Sequence, residues 1–246
     1  MIAIILAAGM GTRMYPLTKN RPKALLPLLD GSTFLDHLLS NIQTIAQIQD
    51  VVVTINPKHH KCFTEWRSNH DVTLYVAQED NNVIESLQTI QSSLNNAQDL
   101  LVAAVDNLLF FELRYFADFF FEKRNYITAM YYDEPNISEL QKTGVAFIQD
   151  EYIIEMEEKP IHPKYNYAIP PFYIIPAKKR EQIAKYLHTE RQADSIGSFI
   201  RWCVKNDSVR AFPMPGKRLN LGNKEAYLKY ITNVINHYHF NASEGL

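Results

Sequence analysis

Residues 2–28 read IAIILAAGMGTRMYPLTKNRPKALLPL. The apolar run from Ile2 to Ala8 ends in Gly9-Met10-Gly11-Thr12. A short apolar run stopped by glycines reads as a buried strand that turns at the edge of a sheet. In open α/β sheets, ligands bind in the crevice outside the carboxyl ends of the strands. Glycines there let backbone N–H groups approach an anion and form a concave nest. Arg13 and Lys23 follow, interleaved with Pro16, Pro22 and Pro27. Both cations donate hydrogen bonds and accept none, so they suit a polyanion such as a triphosphate. The loop is not a P-loop, because no Gly-Lys-Ser/Thr closes it. It is not a dinucleotide loop either, because Met14 stands at the third glycine position. Taken alone, Gly9 and Gly11 read as an ordinary turn after a strand, with surface cations beside it.

The rest of the chain alternates strand and helix. After Asp30-Gly31, Ser32 or Thr33 can cap a helix whose stripe is Phe34, Leu35, Leu38, Leu39, Ile42, Ile45 and Ala46. Strands are expected at 51–55, 72–77, 100–105 and 127–132, with helices near 58–68, 83–95 and 112–124 between them. Crossovers of this length imply a mostly parallel sheet covered on both faces, a Rossmann-like, doubly wound core. Beyond residue 132 the pattern changes. Strands near 143–149, 152–157 and 171–175 come without helices and read as antiparallel additions covering one end. Helices near 178–188 and 195–205, a strand at 208–213 and a helix at 223–238 complete the chain, with 239–246 as a frayed tail. The fold expected is a three-layer α/β/α sandwich with a mixed central sheet and a small antiparallel addition.

At 246 residues the chain can bury a substantial core. Its 25 Lys+Arg against 27 Asp+Glu leave a net charge of −2, with no basic stripe for nucleic acid and no polybasic block for a membrane. Cys62 and Cys203 are far apart and read as reduced structural thiols, which suits a cytoplasmic location. The N-terminal apolar run has no basic n-region and reads as a strand rather than a signal peptide.

Three further places carry chemistry. Asp106 ends the strand LLVAAV, where a carboxylate can hold Mg²⁺ together with phosphate oxygens or can simply cap a turn. Glu157-Glu158-Lys159-Pro160 follows the strand YIIEM and can be a charged hairpin edge. Gly144 can mark a bulge.

The string LAAGMGTRMYPLTKNRPKALLPL resembles the signature of the sugar nucleotidyltransferases, the family that includes glucose-1-phosphate thymidylyltransferases. The resemblance runs over about residues 2–235. It implies one nucleotidyltransferase domain over 1–246: a nucleotide-binding core at 1–132, a sugar-phosphate-binding part at 133–222, and a C-terminal helix and tail at 223–246. It places nucleotide binding on Leu6, Ala8, Gly9, Gly11, Thr12, Arg13, Lys23, Gln78 and Asp106. Gly144, Glu158, Lys159 and Tyr173 fall to the sugar phosphate, and Asp106 and Asn220 to Mg²⁺. Arg13, Lys23 and Lys159 are the implied catalytic cations.

Four departures from the family pattern stand out. Val105 replaces Gly in Gly-Asp-Asn, and Pro170-Pro171 replaces Thr-Gly in the stretch NYAIPPFYI. The glycines of a base-reading turn are missing from QEDNNVIESLQ (78–88). Asn220 stands for Asp in a segment that resembles Trp-Leu-Asp-Thr-Gly-Thr. An amide offers Mg²⁺ an oxygen without charge. The implied reaction is in-line attack of a sugar 1-phosphate on the α-phosphorus of a nucleoside triphosphate. Base and sugar remain open. Two alternatives accompany it: transfer to another phosphorylated alcohol such as phosphocholine, and a nucleotide-binding regulatory paralogue with weak turnover. Oligomerisation is common in this fold, but no interface can be read from the sequence.

Overall fold

The structure, a computed structural model, describes residues 1–78, 82–95, 97–190 and 195–232. Its elements run β1 (Ile2–Leu6), α1 (Phe34–Ile42), β2 (Asp50–Ile55), α2 (His60–Arg67), β3 (Thr73–Val76), α3 (Val83–Ser93), β4 (Leu100–Ala104) and β5 (Asn107–Leu109). They continue with α4 (Arg114–Glu122), β6 (Ile127–Asp133), α5 (Ile137–Leu140), β7 (Gly144–Gln149), β8 (Tyr152–Glu158), β9 (Tyr167–Ile169) and β10 (Phe172–Ile175). Last come α6 (Glu181–Thr189), α7 (Ile196–Asn206), β11 (Val209–Pro213) and β12 (Arg218–Asn220). A final helix occupies 224–232. The rest of the helix expected at 223–238, and the tail, lie outside the described residues.

Ten strands form one mixed sheet in the order β11-β8-β7-β9-β6-β10-β4-β1-β2-β3. The pairs β1–β2, β1–β4 and β2–β3 are parallel and in step: Leu6 lies opposite Thr54 on one side and Ala104 on the other. The carboxyl ends of four strands therefore line one rim, and the loops after β1, β2, β3 and β4 leave the sheet together there. The antiparallel strands are placed differently from the expectation. The 171–175 strand does not cover an end; as β10 it runs antiparallel between β4 and β6, in the middle of the sheet. The reason lies in its sequence. Phe172, Tyr173, Ile174 and Ile175 are all buried, and a strand apolar on both faces is stable only where both faces are covered. β11 returns parallel to β6. A separate two-stranded ribbon, β5 with β12, was not anticipated; it sets Asn220 opposite Asn107.

Alternation along the strands divides the core in two. Ala3, Ile5, Val53, Leu101 and Phe172 pack with α1, α2 and α4. Ile2, Ile4, Val52, Val102 and Tyr173 pack with α3, α6 and α7. Successive strand residues point to opposite faces, so each strand feeds both clusters. The caps set where the helices begin. Thr33 accepts from the Asp36 N–H while the Asp36 carboxylate accepts from the Thr33 N–H, a reciprocal capping box at one of the two residues expected. Asn82 and Glu85 repeat the device on α3. The final helix is tied back to the opening segment, for Tyr227 Oη donates to the Pro27 carbonyl at 2.8 Å. Both cysteines are free, and burial pushes the Cys203 thiol well up. Among the described residues no helix is long and apolar enough to cross a membrane.

Phe172 is fully buried at the centre of the sheet, so Phe172→Ala should cost about 3–5 kcal/mol. The shift in urea midpoint measures this, and a loss below about 1 kcal/mol would contradict the central placement of β10.

Candidate active site

The glycine loop after β1 is shaped by Gly11. It sits at φ 64°, in the left-handed region that a side chain disfavours, and starts a 3₁₀ turn over Thr12–Met14. Its carbonyl accepts from Met14 N at 2.9 Å and Thr18 Oγ1 at 2.7 Å, which fixes the turn. A Cβ on Gly11 would also press on Thr18 and on Lys23 Cβ, at 3.3 and 3.4 Å. Gly9 is open; a Cβ there would meet no heavy atom within 4 Å. Arg13 is exposed on this turn and lines the cleft described below.

Pro22 leads into a second 3₁₀ turn, Lys23–Leu25. Its apolar side anchors Ala24 and Leu25 in the core, and this holds Lys23 toward the sheet rim. There Lys23 Nζ meets Asp106 Oδ2 at 2.8 Å, with the two side chains 13% and 26% exposed. The pair spans 83 residues of sequence. Burial pushes the Lys23 amine down against the pull of Asp106, and Arg13 adds to the push. Burial also works against the Asp106 charge. Lys23 and hydrogen bonds, with a smaller contribution from Arg218, outweigh it and hold the carboxyl below its ordinary range.

Asp106 is gripped on its other oxygen too, where Asn107 Nδ2 donates to Oδ1 at 2.9 Å. Beside it comes β12. Leu221 N donates to the Asp106 carbonyl, and Asn220 Oδ1 accepts from Gly222 N at 2.9 Å. A Cβ built on Gly222 would lie 2.8 Å from Asn220 Oδ1 and 3.3 Å from Asp106 Oδ2, so both oxygens lie close to Gly222. Among the described residues no group of three or more His, Cys, Asp or Glu side chains gathers for a metal.

Arg13, Asp106, Asn107, Tyr132, Arg218 and Asn220 line one cleft of about 410 Å³. A second hollow of about 160 Å³ adjoins it, sharing Lys142, Thr143 and Pro171, and is lined by Gly144, Glu158, Lys159 and Tyr173. Gly144 pairs with Glu158 and Ile169 across the sheet. Lys159 adopts φ 47° and its N–H donates to the Thr143 carbonyl, which ends the β8 ladder and turns the chain out. Lys159 Nζ stands 3.6 Å from Glu158 Oε1 and is 55% exposed, while Glu158 is 11% exposed. Glu158 leans on the start of α7, where Ser195 Oγ donates to it at 3.1 Å. Ser195 is also the N-cap, and a carboxylate at a helix N-terminus is favoured by the unpaired N–H groups there. Gly197 makes the approach possible, since a Cβ on it would collide with the Glu158 carboxylate. Burial and the Glu158 charge push the Tyr173 phenol well up, so it stays neutral.

The structure thus brings Arg13, Asp106 and Asn220 into one hollow and Gly144, Glu158, Lys159 and Tyr173 into the adjoining one; Lys23 joins the first through its pair with Asp106, while Gly9, Gly11 and Thr12 lie on the loop that carries Arg13 and do not line either hollow. Leu6 ends β1 and Ala8 accepts from Asn56 Nδ2, both at the same rim. Gln78 is exposed, two residues past β3 at the sheet's outer edge, and 79–81 lie outside the described residues. Sequence reasoning missed Arg218, Tyr132, Ser195 and Gly197. Of these only the Ser195–Ser198 spacing before an apolar stretch hints at a helix start.

A carboxyl held below its unfolded value of about 3.9 stabilises the fold at every pH above that value and loses the effect as pH falls through the folded one. Asp106→Asn strands the Lys23 cation and should cost about 1–3 kcal/mol at pH 7. The gap in urea midpoint between wild type and variant should be level from pH 8 to 5 and close only below about 4. A gap that closes between pH 7 and 6 would contradict the assignment.

A family model described as Nucleotidyl transferase matches residues 2–237. A protein named Bifunctional protein GlmU from Methanocaldococcus jannaschii is 27% identical over 241 residues, covering 96% of this chain and 55% of that protein. An N-acetylmuramate alpha-1-phosphate uridylyltransferase from Caulobacter vibrioides is 46% identical over 55 residues, 22% of each chain. The chain spans about half the length of the GlmU relatives it matches along its whole length. Among solved structures, one assigned as a glucose-1-phosphate thymidylyltransferase of Bacillus anthracis superposes with TM-score 0.81 at 22% identity, covering 94% of both chains. A UDP-glucose pyrophosphorylase complexed with UDP-glucose gives 0.77 at 18%, covering 96% and 98%. At these identities the two superpositions establish the fold. The match over residues 2–237 shows the family: this chain belongs to the nucleotidyl transferase family.

Proposed function

We propose that this protein condenses a nucleoside triphosphate with a sugar 1-phosphate to give a nucleoside diphosphate sugar and pyrophosphate. One observation carries the reading. A hollow lined by Arg13, next to the glycine loop, and by Asp106 with its partner Lys23 adjoins a second hollow lined by the pair Lys159 and Glu158. On this reading residues 1–132 form the nucleotide side, 133–222 the acceptor side, and the final helix closes the domain.

The acceptor's phosphate is already anionic near neutral pH, so no general base is needed. Catalysis rests on position and charge. The N–H groups of the Gly9–Thr12 loop cradle the β- and γ-phosphates, and Arg13 takes the charge that grows on the leaving pyrophosphate. Lys23 turns from Asp106 to the oxygens flanking the α-phosphorus. Lys159 holds the attacking phosphate in line. Glu158, fixed by Ser195 and the α7 N-terminus, accepts from the sugar hydroxyls. The neutral Tyr173 phenol floors the sugar pocket.

Asp106 and Asn220 fit Mg²⁺, which takes one or two protein oxygens and fills its remaining positions with phosphate oxygens and water, and an oxygen of each lies close to Gly222. When bound there, Mg²⁺ supplies neutralising charge at the α-phosphate. With one amide in place of a carboxylate, these residues should hold the ion weakly until the triphosphate adds its own oxygens.

Pyrophosphate release with Mg²⁺, screened over the four common nucleoside triphosphates against a panel of sugar 1-phosphates and phosphocholine, tests the reaction. Release with a sugar 1-phosphate supports it. Release with phosphocholine alone moves the acceptor class. Nucleotide binding without release in any combination points to a regulatory paralogue. Losing one preorganised charge donor typically costs on the order of 10²–10³ in rate, and Lys23→Ala should show that loss in kcat. Near-normal turnover in the variant would refute its role.

A further inference from the structure

Arg218 is a cation in the cleft that the proposed reaction leaves unused and that, unlike Lys142, has no carboxylate partner among the described residues. It lies at the start of β12, in a segment that carries Arg218 and Asn220 where the resembling pattern has Trp and Asp. Both exchanges move local charge in the positive direction. The guanidinium is held over the Tyr132 ring, 4.6 Å from its centroid. Nη1 donates to Asn107 Oδ1 at 2.5 Å and Nη2 to the Tyr132 hydroxyl.

A guanidinium carries five N–H donors in a rigid fork, so most of its donor capacity is left for a ligand. Both partners are neutral, and among the described residues no carboxylate pairs with Arg218. The carboxylates of the cleft are engaged elsewhere. Asp106 pairs with Lys23 at 2.8 Å, Glu139 with Lys142 at 2.6 Å, and Glu134 accepts from Asn136 N at 2.9 Å. A half-buried cation with no direct ion pair, compensated only through the field of Asp106, is costly to the free protein. It becomes favourable when an anion enters.

Its position says which anion. Arg13 and the glycine loop stand at the carboxyl end of β1, on the far side of Asp106. Tyr132, under Arg218, is on β6, beyond β4 and β10 toward the hollow of Lys159 and Glu158. We propose that Arg218 is the second anchor for the acceptor's phosphate, facing Lys159 across the entry to the sugar pocket. This rests on the reaction proposed above. Tyr132 and Asn107 preset the fork, so two parallel N–H groups can meet two phosphate oxygens, a geometry Lys cannot copy. The acceptor class follows: a phosphate monoester carrying two negative charges, gripped from both sides, rather than a neutral alcohol.

The test compares wild type, Arg218→Gln and Arg218→Lys in the full chain. Arg218→Gln should raise the KM for the acceptor about tenfold or more and leave the KM for the nucleoside triphosphate within about twofold. Arg218→Lys should recover part of the loss, because the charge returns without the fork. An acceptor KM unchanged in both variants would overturn the proposal, as would an equal rise in both KM values, which would put Arg218 on the triphosphate. Inorganic phosphate, titrated against each protein and followed by ³¹P line broadening, reads the same group without turnover. Binding that weakens in Arg218→Gln supports the anchor even if no acceptor releases pyrophosphate, and that case would sink the reaction instead. Phosphate binding equal in all three proteins would sink the anchor. Urea midpoints of the variants separate a folding defect from either result.

Discussion

The ion pair between Lys23 and Asp106 is the contact on which the site depends. Neither residue would sit at the sheet rim in a stable charged form without the other. Lys23 arrives on a short 3₁₀ turn pinned by Ala24 and Leu25, and Asp106 on the turn after a central strand, which ends at Ala104 rather than at Asp106 as the sequence suggested. Each is partly buried, and burial opposes both charges. The pair therefore stores two desolvated charges in mutual compensation, a state a phosphate ligand can exploit by offering Lys23 a stronger partner. The same carboxylate is held on its other oxygen by Asn107, so its orientation survives when Lys23 leaves.

From that pair the architecture follows outward. The parallel register of β1, β2, β3 and β4 brings their carboxyl ends to one rim. Insertion of β10 between β4 and β6 then widens the sheet on the side away from the glycine loop. This leaves room for a second ligand beside the first. The hairpin β7–β8 ends at that place, and its terminal Glu158 is clamped by α7. The cleft is thus one groove built from two kinds of chain path: parallel crossovers on one side, antiparallel returns on the other.

Much of this was legible in the sequence, for a physical reason. Leu6 to Lys23 and the turn at Asp106 are local patterns, in which strand, glycine and cation follow within a few residues of one another. The capping residue Thr33 and the helical stripe of α1 are legible for the same reason. What was not legible depends on partners distant in the chain. Phe172 to Ile175 show as a strand, but nothing nearby in sequence says that β4 and β6 will flank them. Arg218 is separated from Asn107 by 111 residues, and only the β5–β12 ribbon brings them together. Gly197 looks like a poor helix residue until Glu158 is seen against it.

The most direct test is the position of Lys23 in a crystal of the protein with an α,β-methylene nucleoside triphosphate. The account predicts the phosphates on the Gly9–Arg13 loop, with Lys23 Nζ moved from Asp106 to a phosphate oxygen. A triphosphate bound away from that loop, with the Lys23–Asp106 pair undisturbed, would contradict it.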